Sequence, residues 1–411
     1  MKFTHENRLE MCLAGLPKSV DFEKVMEQLL TFHVETPSWG YGTGGTRFHT
    51  MRKPGEPRCI KEKLADAAQV HKHTGITPTV AIHIPWDKVS DWGELSSYAS
   101  SLGLALGAVN PNLFQEDDYL KGSLSHREAA VRARAMDHIK ECIDIMNTVG
   151  SRDLSLWLAD GTNYPGQDNF RDRLRRMADS LAQVYALLGE RQRLLIEYKP
   201  FEPAFYHTDI PDWGLATLYA EGLGPKAFTL VDLGHHLHGT NIEYIVAILL
   251  SRGKLGGFHF NNRKYADDDL TTGSINPYEV FLIFNEIVAA QAEPGAGGEG
   301  AGGEGAGGEK AEIAYMIDQS HYIKPSIEAM IQSVVNIQRA YAKALIVDRE
   351  RLEEAREAGD MIEAEECLTA AFNYDVDPLL VEARRRMGVP DNPLAAFRRS
   401  GYMKQVEKER A

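Results

Sequence analysis

LLIEYKP (194–200), FTLVDLGHH (228–236) and GGFHFNNRKYADDDL (256–270) are short apolar runs that end in carboxylates, amines and imidazoles. A fourth run, IAYMIDQ (313–319), delivers Asp318 in the same way. Continuous rather than alternating apolar residues are typical of strands that are buried on both faces, as in parallel sheets. Parallel strands present their terminal residues on one common face, where a metal ion could collect them. The pattern therefore predicts an enzyme with a metal site.

Eight such strands, most of them separated by helical patterns, can be counted along the chain. They are FHVETPSW (32–39), PTVAIHI (78–84), LALGAVN (104–110), LSLWLAD (154–160), LLIEYK (194–199), FTLVDL (228–233), GFHFN (257–261) and AYMID (314–318). This alternation predicts an α/β fold, a (β/α)8 TIM barrel with a C-terminal helical extension. An open doubly wound sheet would spread four strand ends over roughly 15 Å, at about 4.8 Å per strand, too far for one metal cluster. We therefore favour the closed barrel.

Two segments depart from the alternation. The Gly/Glu-rich stretch 295–310 contains the tandem repeat AGGEG, AGGEG, AGGEK, which is expected to be a flexible insertion in the barrel domain, 1–347. Residues 348–411 are helical and polar, and we expect a helical arm that contacts a neighbouring subunit. A clasp within one subunit is the alternative.

Composition narrows the class of partner. The 411 residues carry a formal net charge of −14, which disfavours nucleic acid and anionic membranes because binding them needs clustered Lys and Arg. The four cysteines, Cys12, Cys59, Cys142 and Cys367, are widely spaced, so reduced thiols are expected. No signal sequence or long apolar run is evident, and the prediction is a soluble, cytoplasmic protein.

The spacing within the clusters favours shared ligation. Asp232 and His235 are three residues apart just past a strand end, so both can turn toward one point. Asp267 and Asp269 are two apart, and in an extended loop their side chains would share a side. Carboxylates with imidazoles suit Mn²⁺, Mg²⁺ or Co²⁺. Taken alone, Asp232 could be a helix N-cap and His259 a core histidine, but their joint occurrence on consecutive strands favours metal binding.

The order ExK, DxxH, H, DxD, D on strands 5 to 8 resembles the xylose-isomerase-like sugar isomerases. Four segments are similar to the broad-specificity bacterial L-rhamnose isomerase family. They are EYKPFEPAFYHTDIPDWG (197–214), VDLGHHLHGTNIEYIVA (231–247), LGGFHFNNRKYADDDL (255–270) and MIDQSHYIK (316–324). The resemblance extends over nearly the whole chain, including AIHIPWDKV (81–89), and the AGGEG repeat departs from the family pattern.

This resemblance implies two divalent metal ions per subunit, with Mn²⁺ as the first choice and Mg²⁺, Co²⁺ or Zn²⁺ as the others. The structural site would use Glu197, Asp232, His259 and Asp318. The catalytic site would use His235, Asp267 and Asp269, with Asp232 bridging the two ions. Five carboxylates would offset the repulsion between two such cations.

The resemblance also implies an activity, aldose–ketose isomerisation by a metal-assisted 1,2-hydride shift, with L-rhamnose and L-rhamnulose as the expected pair. It further implies a homotetramer. His83 would assist ring opening, Lys199 would stabilise negative charge on the sugar oxygens, and Asp318 would hold the water that takes a proton from O2. Side chains for the sugar's apolar faces would be Trp39, Phe48 and Trp157. An enediol route, a sugar epimerase on the same barrel and a metal-dependent phosphoesterase are the alternatives.

Overall fold

Eight parallel strands follow one another round a sheet in chain order, as the sequence predicted. The computed structural model describes residues 4–42, 52–158, 163–200, 208–292, 312–320 and 323–411. The strands are β1 (Thr36–Pro37), β2 (Thr79–Ile84), β3 (Ala105–Pro111), β4 (Asp153–Trp157), β5 (Arg193–Glu197), β6 (Ala227–Asp232), β7 (Leu255–Phe260) and β8 (Ala314–Ile317). The architecture is a (β/α)8 barrel.

The first and last strands meet through Glu35. Its N–H donates to the Tyr315 carbonyl at 2.8 Å, and its own carbonyl accepts from the Ile317 N–H at 2.9 Å. This contact joins β1 to β8, which an open sheet could not do. Strand β1 is shorter than predicted, because Pro37 has no N–H to donate and the chain turns into a 3-10 helix at Ser38–Gly40.

Helices separate successive strands and cover the outside of the barrel. From the N-terminus they are α1 (His5–Gly15), α2 (Phe22–Thr31), α3 (Ile60–Thr74), α4 (Trp92–Ser101), α5 (Ala129–Val149), α6 (Phe170–Leu187), α7 (Trp213–Leu223), α8 (Ile242–Ser251), α9 (Pro277–Ala292) and α10 (Ser326–Leu345). A short 3-10 helix spans Asp117–Lys121 before α5. As expected from sequence, α5 ends at Gly150, whose φ of 74° suits glycine.

Five more helices follow α10: α11 (Arg349–Ala358), α12 (Met361–Asn373), α13 (Asp377–Arg386), α14 (Pro393–Ser400) and α15 (Tyr402–Glu409). They pack on the barrel of their own chain, with α13 against α1 and α2 and α14 against α3. A buried ion pair, Arg410 Nη2 to Asp66 Oδ1 at 2.8 Å, ties the end of this extension to α3. A contact with a second subunit stays a prediction.

The Gly/Glu-rich stretch 295–310 lies outside the described residues. Within the residues that are described, none of the helices is both long and apolar enough to cross a membrane.

The barrel interior changes character along its axis. At the amino-terminal ends of the strands, Arg193 Nε donates to Asp153 Oδ1 at 2.7 Å, and this pair is buried. An apolar layer lies above it, formed by Ala81, Ala108, Leu195, Phe228, Leu230 and Met316. The apolar layer separates the ion pair from the carboxyl-terminal rim, where polar side chains collect.

A notch in β3 receives the side chain of Glu35. The pairing of β2 with β3 shifts register between Val80 and Ile82, which leaves an irregularity around Gly107. The Ala108 N–H donates to Glu35 Oε1 at 3.0 Å. A Cβ on Gly107 would lie 1.6 Å from Glu35 Oε2, so only glycine leaves space for this carboxylate.

We expect Gly107→Ala to destabilise the protein by about 1–3 kcal/mol, because the new methyl group overpacks the notch. Chemical denaturation measures the change in unfolding free energy. The matched control is Gly222→Ala in α7, where an added Cβ meets nothing within 4 Å. That substitution should be neutral or stabilising by up to about 1 kcal/mol. Equal losses in both variants would contradict the steric explanation.

Candidate active site

The predicted ligands of the first group lie together at the carboxyl-terminal rim. Glu197 ends β5, Asp232 ends β6, His259 lies in β7 and Asp318 directly follows β8. One ligand atom from each lies within 4.8 Å of all the others. The first three side chains are buried, and Asp318 is 20% exposed. Four consecutive strands of a closed barrel thus supply one compact set of metal donors.

A second group shares Asp232 with the first. It comprises Asp232, His235 and Asp267, whose ligand atoms also lie within 4.8 Å of one another. The His235 N–H donates to the Asp232 carbonyl at 3.3 Å, so the chain turns directly after β6 and brings the imidazole back over the rim. Asp232 and His235, three residues apart, therefore turn toward one point.

Asp232 uses one carboxylate oxygen for the protein and leaves the other open. Its Oδ1 accepts from the Gly234 N–H at 2.6 Å and from Asn261 Nδ2 at 2.8 Å. Its Oδ2 is buried without a hydrogen-bond partner. The alternative of a helix cap fails, since Asn241 caps α8. A buried oxygen without a donor is costly unless something else binds it.

Glycine at 234 is required by the same arrangement. A Cβ there would lie 2.3 Å from Asp267 Oδ1 and 3.1 Å from Asp232 Oδ1. The Gly234 backbone can approach two carboxylates only because it carries no side chain. Asn261 was not anticipated from sequence, although its place two residues after His259 in the FHFNN run is a signal that could have been used.

Both imidazoles in the cluster hold a proton tightly. Burial disfavours the charged form of His259, but Glu197, with Oε1 3.0 Å from His259 Nδ1, outweighs it and raises the pKa to about 10. Burial likewise opposes charge on His235, and Asp232 and Asp267 raise its pKa to about 9. The site thus strongly favours positive charge.

The carboxylates respond to the same crowding. Burial, opposed by His235 and supported by neighbouring carboxylates, raises the pKa of Asp232 to about 7. Burial, then neighbouring carboxylates, raise the pKa of Asp269 well above its ordinary value. Burial also raises the pKa of Asp318. At Asp267 burial is outweighed by Lys199 and His235, which hold the pKa well below the usual range. Five acidic groups here face one ammonium and two imidazoles, a donor set that fits a divalent cation.

Asp269 lies close to this cluster but in neither ligand group. Its φ of 45° is left-handed, so the loop is not extended at Asp269, and the predicted alternation that would place its side chain on the same side as that of Asp267 was wrong. A reciprocal pair of backbone hydrogen bonds between Asn262 and Leu270, both 2.9 Å, fixes the loop on either side. Asp269 Oδ1 is buried without a hydrogen-bond partner, and Asp267 raises the pKa of Asp269 after burial.

Lys199 reaches the second group from just beyond β5. Its Nζ donates to Asp267 Oδ2 at 2.6 Å, and its side chain is 2% exposed. The ammonium lies 4.7 Å from the centroid of the Trp157 ring, and that ring stacks near His235 at 6.2 Å. Trp157, predicted as an apolar wall, therefore borders the charged cluster.

On the opposite side of the site, His83 at the end of β2 lies in an aromatic setting. Its ring stacks on Trp86 with centroids 3.6 Å apart, and Trp39 meets it edge-on at 5.8 Å. Burial, then Lys63 and His138, holds the pKa of His83 well below its usual value, so the imidazole is neutral. Its Nδ1 is buried without a hydrogen-bond partner. A neutral imidazole can accept a proton.

The aromatic residues play a wider part than predicted. Trp39, expected as an apolar wall, donates from Nε1 to Asp318 Oδ1 at 2.6 Å and so orients a metal-ligand candidate. Phe114, which the sequence did not single out, packs edge-on against Trp157 with centroids 4.6 Å apart. Trp86 belongs to the segment AIHIPWDKV (81–89), and the sequence predicted no role for it. Phe48 lies outside the described residues.

Comparisons with known proteins identify relatives of this barrel. The family described as xylose isomerase-like TIM barrel matches residues 66–288. The chain is 47% identical to a probable sugar isomerase of Rhizobium meliloti, over 96% of this chain and 90% of that protein. It is 44% identical to a probable sugar isomerase of Mesorhizobium japonicum, over 96% and 89%. A solved structure of L-ribulose 3-epimerase is similar in fold, with a TM-score of 0.53, 17% identity and 81% and 98% coverage.

We expect Asn261→Ala to weaken Mn²⁺ binding by about 10–100-fold, because Asp232 Oδ1 loses a donor that orients the carboxylate. Calorimetric titration of metal-free protein with Mn²⁺ measures the affinity. The matched control is Asn110→Ala at the end of β3, whose Nδ2 donates to the Ile82 carbonyl at 3.1 Å and not to a carboxylate. Its Mn²⁺ affinity should match that of the wild type. Unchanged affinity in Asn261→Ala would contradict the role of Asn261.

Proposed function

Because the chain belongs to the xylose isomerase-like TIM-barrel family, we propose that it is a metal-dependent aldose–ketose isomerase, with L-rhamnose and L-rhamnulose as the preferred pair. The observation that carries this proposal is the pair of ligand groups that share Asp232. A carboxylate with one bound and one open oxygen, between two donor sets, suits a site for two neighbouring cations.

Glu197, Asp232, His259 and Asp318 would hold one divalent ion. His235, Asp267 and Asp269 would hold the second together with Asp232, and we propose Mn²⁺ for both. When bound, such ions polarise a sugar carbonyl and lower the pKa of the neighbouring hydroxyl. Asp269 lies outside the compact group of Asp232, His235 and Asp267.

The remaining residues lie on two sides of the pocket, where they would transfer protons and stabilise charge on the sugar. The neutral imidazole of His83 accepts the proton of the anomeric hydroxyl and passes it to the ring oxygen as the bond between C1 and that oxygen breaks. Lys199 places its positive charge beside the second group, where it stabilises negative charge on a sugar oxygen. Asp318, oriented by Trp39, holds the water that takes the proton from the O2 hydroxyl. A hydride then moves from C2 to C1, O2 becomes the ketone oxygen, and the proton taken from O2 returns through the water to O1.

The aromatic side chains give the pocket apolar walls. Trp86, Phe114 and Trp157 follow one another round the rim from His83, with edge-on contacts between neighbouring rings. Such faces suit the C–H surface of a sugar and the terminal methyl group of a 6-deoxy sugar. Apolar contacts discriminate weakly, and a missing methyl group is worth only about 1–3 kcal/mol. We therefore propose relaxed specificity toward aldoses.

The proposal includes a cytoplasmic homo-oligomer. All four cysteines are free thiols, which suits a reducing compartment. The helical extension from α11 to α15 supplies a large additional surface next to α1, α2 and α3, and we propose that part of it contacts a second subunit in a tetramer.

We expect wild-type protein to bind about two equivalents of Mn²⁺ per chain and Asp232→Asn to lose both, because the shared carboxylate serves both sites. Asp267→Asn should lose only the second ion, since Asp267 belongs to one group. Elemental analysis of dialysed protein measures the content. Wild-type stoichiometry in Asp232→Asn would contradict the shared role.

We expect L-rhamnose to be isomerised with the highest kcat/KM of an aldose panel assayed with Mn²⁺. L-mannose and L-lyxose, which share its C2 and C3 configuration, should have kcat/KM values about 10–200-fold lower, the range that a lost methyl contact allows.

Product identification by chromatography distinguishes isomerisation from epimerisation. A C3 epimer as the main product would overturn the isomerase, whereas a different best aldose would overturn only the choice of L-rhamnose. Solvent deuterium in the product from D2O would replace the hydride shift by an enediol.

A further inference from the structure

Arg173 and Asp209 form a buried ion pair beside the carboxyl-terminal rim, outside both ligand groups. Arg173 Nη2 donates to Asp209 Oδ1 at 2.7 Å and to Oδ2 at 2.6 Å, and Nε donates to Oδ1 at 3.2 Å. The two side chains are 6% and 7% exposed. Such a forked contact fixes both partners in orientation as well as in distance.

Two further groups brace the pair. Arg173 Nη2 donates to Ser125 Oγ at 2.8 Å, and the Ser125 hydroxyl donates to Asp209 Oδ2. Arg173 Nη1 donates to the Lys121 carbonyl at 2.9 Å. Through these bonds the first turn of α6 is tied to the segment between β3 and α5 and to residue 209.

The neighbours of Asp209 hold the backbone of Lys199 on both sides. The Thr208 hydroxyl donates to the Lys199 carbonyl, and the Lys199 N–H donates to the Ile210 carbonyl at 2.9 Å. Thr208 and Ile210 are both fully buried. Segment 208–210 is therefore a clamp on Lys199, and Asp209 is the residue that anchors the clamp to Arg173.

The position of the Lys199 backbone matters because the four-carbon side chain has several rotatable bonds and does not by itself fix where its compact charged end lies. Here the ammonium must meet Asp267 Oδ2 at 2.6 Å and lie 4.7 Å from the Trp157 ring centroid. A shift of the Lys199 backbone would move its charge relative to both partners.

We propose that the Arg173–Asp209 pair is a positioning element for Lys199, acting through the clamp 208–210. The inference rests on the proposed isomerase for its catalytic consequence, but not for its structural one. Arg173 also lies 3.9 Å from Asp168 Oδ2, but only Asp209 offers it a forked contact. Losing either member of the forked pair leaves the other buried without that contact, so the clamp shifts and Lys199 no longer lies where negative charge develops on the sugar.

The same chain holds a matched pair for comparison. Arg193 and Asp153 form a forked, buried pair with distances of 2.7 and 3.1 Å and exposures of 10% and 9%. This pair lies at the first residues of β5 and β4, at the opposite end of the barrel from Lys199. It shares the residue types and burial but not the neighbourhood of the site.

The experiment compares Asp209→Asn with Asp153→Asn. In metal-loaded Asp209→Asn we expect kcat for L-rhamnose to fall about 10–100-fold, as misplacement of a catalytic group by about 1 Å does. KM and Mn²⁺ content should stay near wild type, because no metal ligand is replaced.

The structural readout is amide hydrogen exchange at Lys199, measured by fragmentation mass spectrometry, and it should accelerate in Asp209→Asn. In Asp153→Asn the melting temperature should fall by a similar amount, with kcat and Lys199 exchange unchanged.

Two milder variants keep the test usable if Asp209→Asn does not fold. Ser125→Ala removes a brace without unpairing a charge, and Arg173→Lys keeps the charge but loses the fork, so each should give a smaller loss of kcat and a smaller rise in exchange. Unchanged Lys199 exchange in all three variants, or an equal loss of kcat in Asp153→Asn, would overturn the inference. A wild-type protein that isomerises no sugar would overturn the proposed function, while hydrogen exchange would still decide the clamp.

Discussion

Like charge concentrated at one rim of the barrel is the constraint on which the site depends. Parallel strands end side by side, so carboxylates at the ends of β5, β6 and β8 must lie together, with ligand atoms within 4.8 Å of one another. At an effective dielectric of about 20, two charges about 5 Å apart repel by roughly 3 kcal/mol. The protein alone offers Lys199, His235 and His259 as counter-charges, and the high pKa values of both imidazoles show how strongly the rim attracts positive charge. Such a rim suits cations that the chain itself does not provide.

The scaffold offsets this charge by giving three of the candidate ligand carboxylates a hydrogen-bond donor from a neighbouring segment. One side of the carboxylate is thereby bound to protein, which sets its orientation before any ligand arrives. Aromatic and amide groups do this work alongside charged ones, so part of the wall of the pocket is also part of its electrostatics. The pairs are Asn261 with Asp232, Lys199 with Asp267 and Trp39 with Asp318.

The sequence predicted the strands and the clustering of polar side chains at the rim because both depend on local pattern: short apolar runs, and polar residues at fixed spacing after them. It placed Glu197 and Asp232 at strand ends for that reason. It did not identify Asn261 or Phe114, because the value of a donor or a wall depends on which strand end lies opposite. The conformation of Asp269 was predicted wrongly, since a left-handed residue in a loop leaves no periodic signal. Strand β1 was predicted too long, because Pro37 and the following turn interrupt an apolar run that otherwise resembles the others.

The notch between Glu35 and Gly107 has a consequence for how this barrel can diversify. The carboxylate fills the space that any side chain at 107 would need, and it also accepts the N–H that the irregular strand leaves at Ala108. A larger residue at 107 becomes tolerable only if position 35 shortens, and a shorter residue at 35 leaves a buried amide without an acceptor. Positions 35 and 107, far apart in the chain, are therefore expected to covary, and homologues should keep both residues or replace both together.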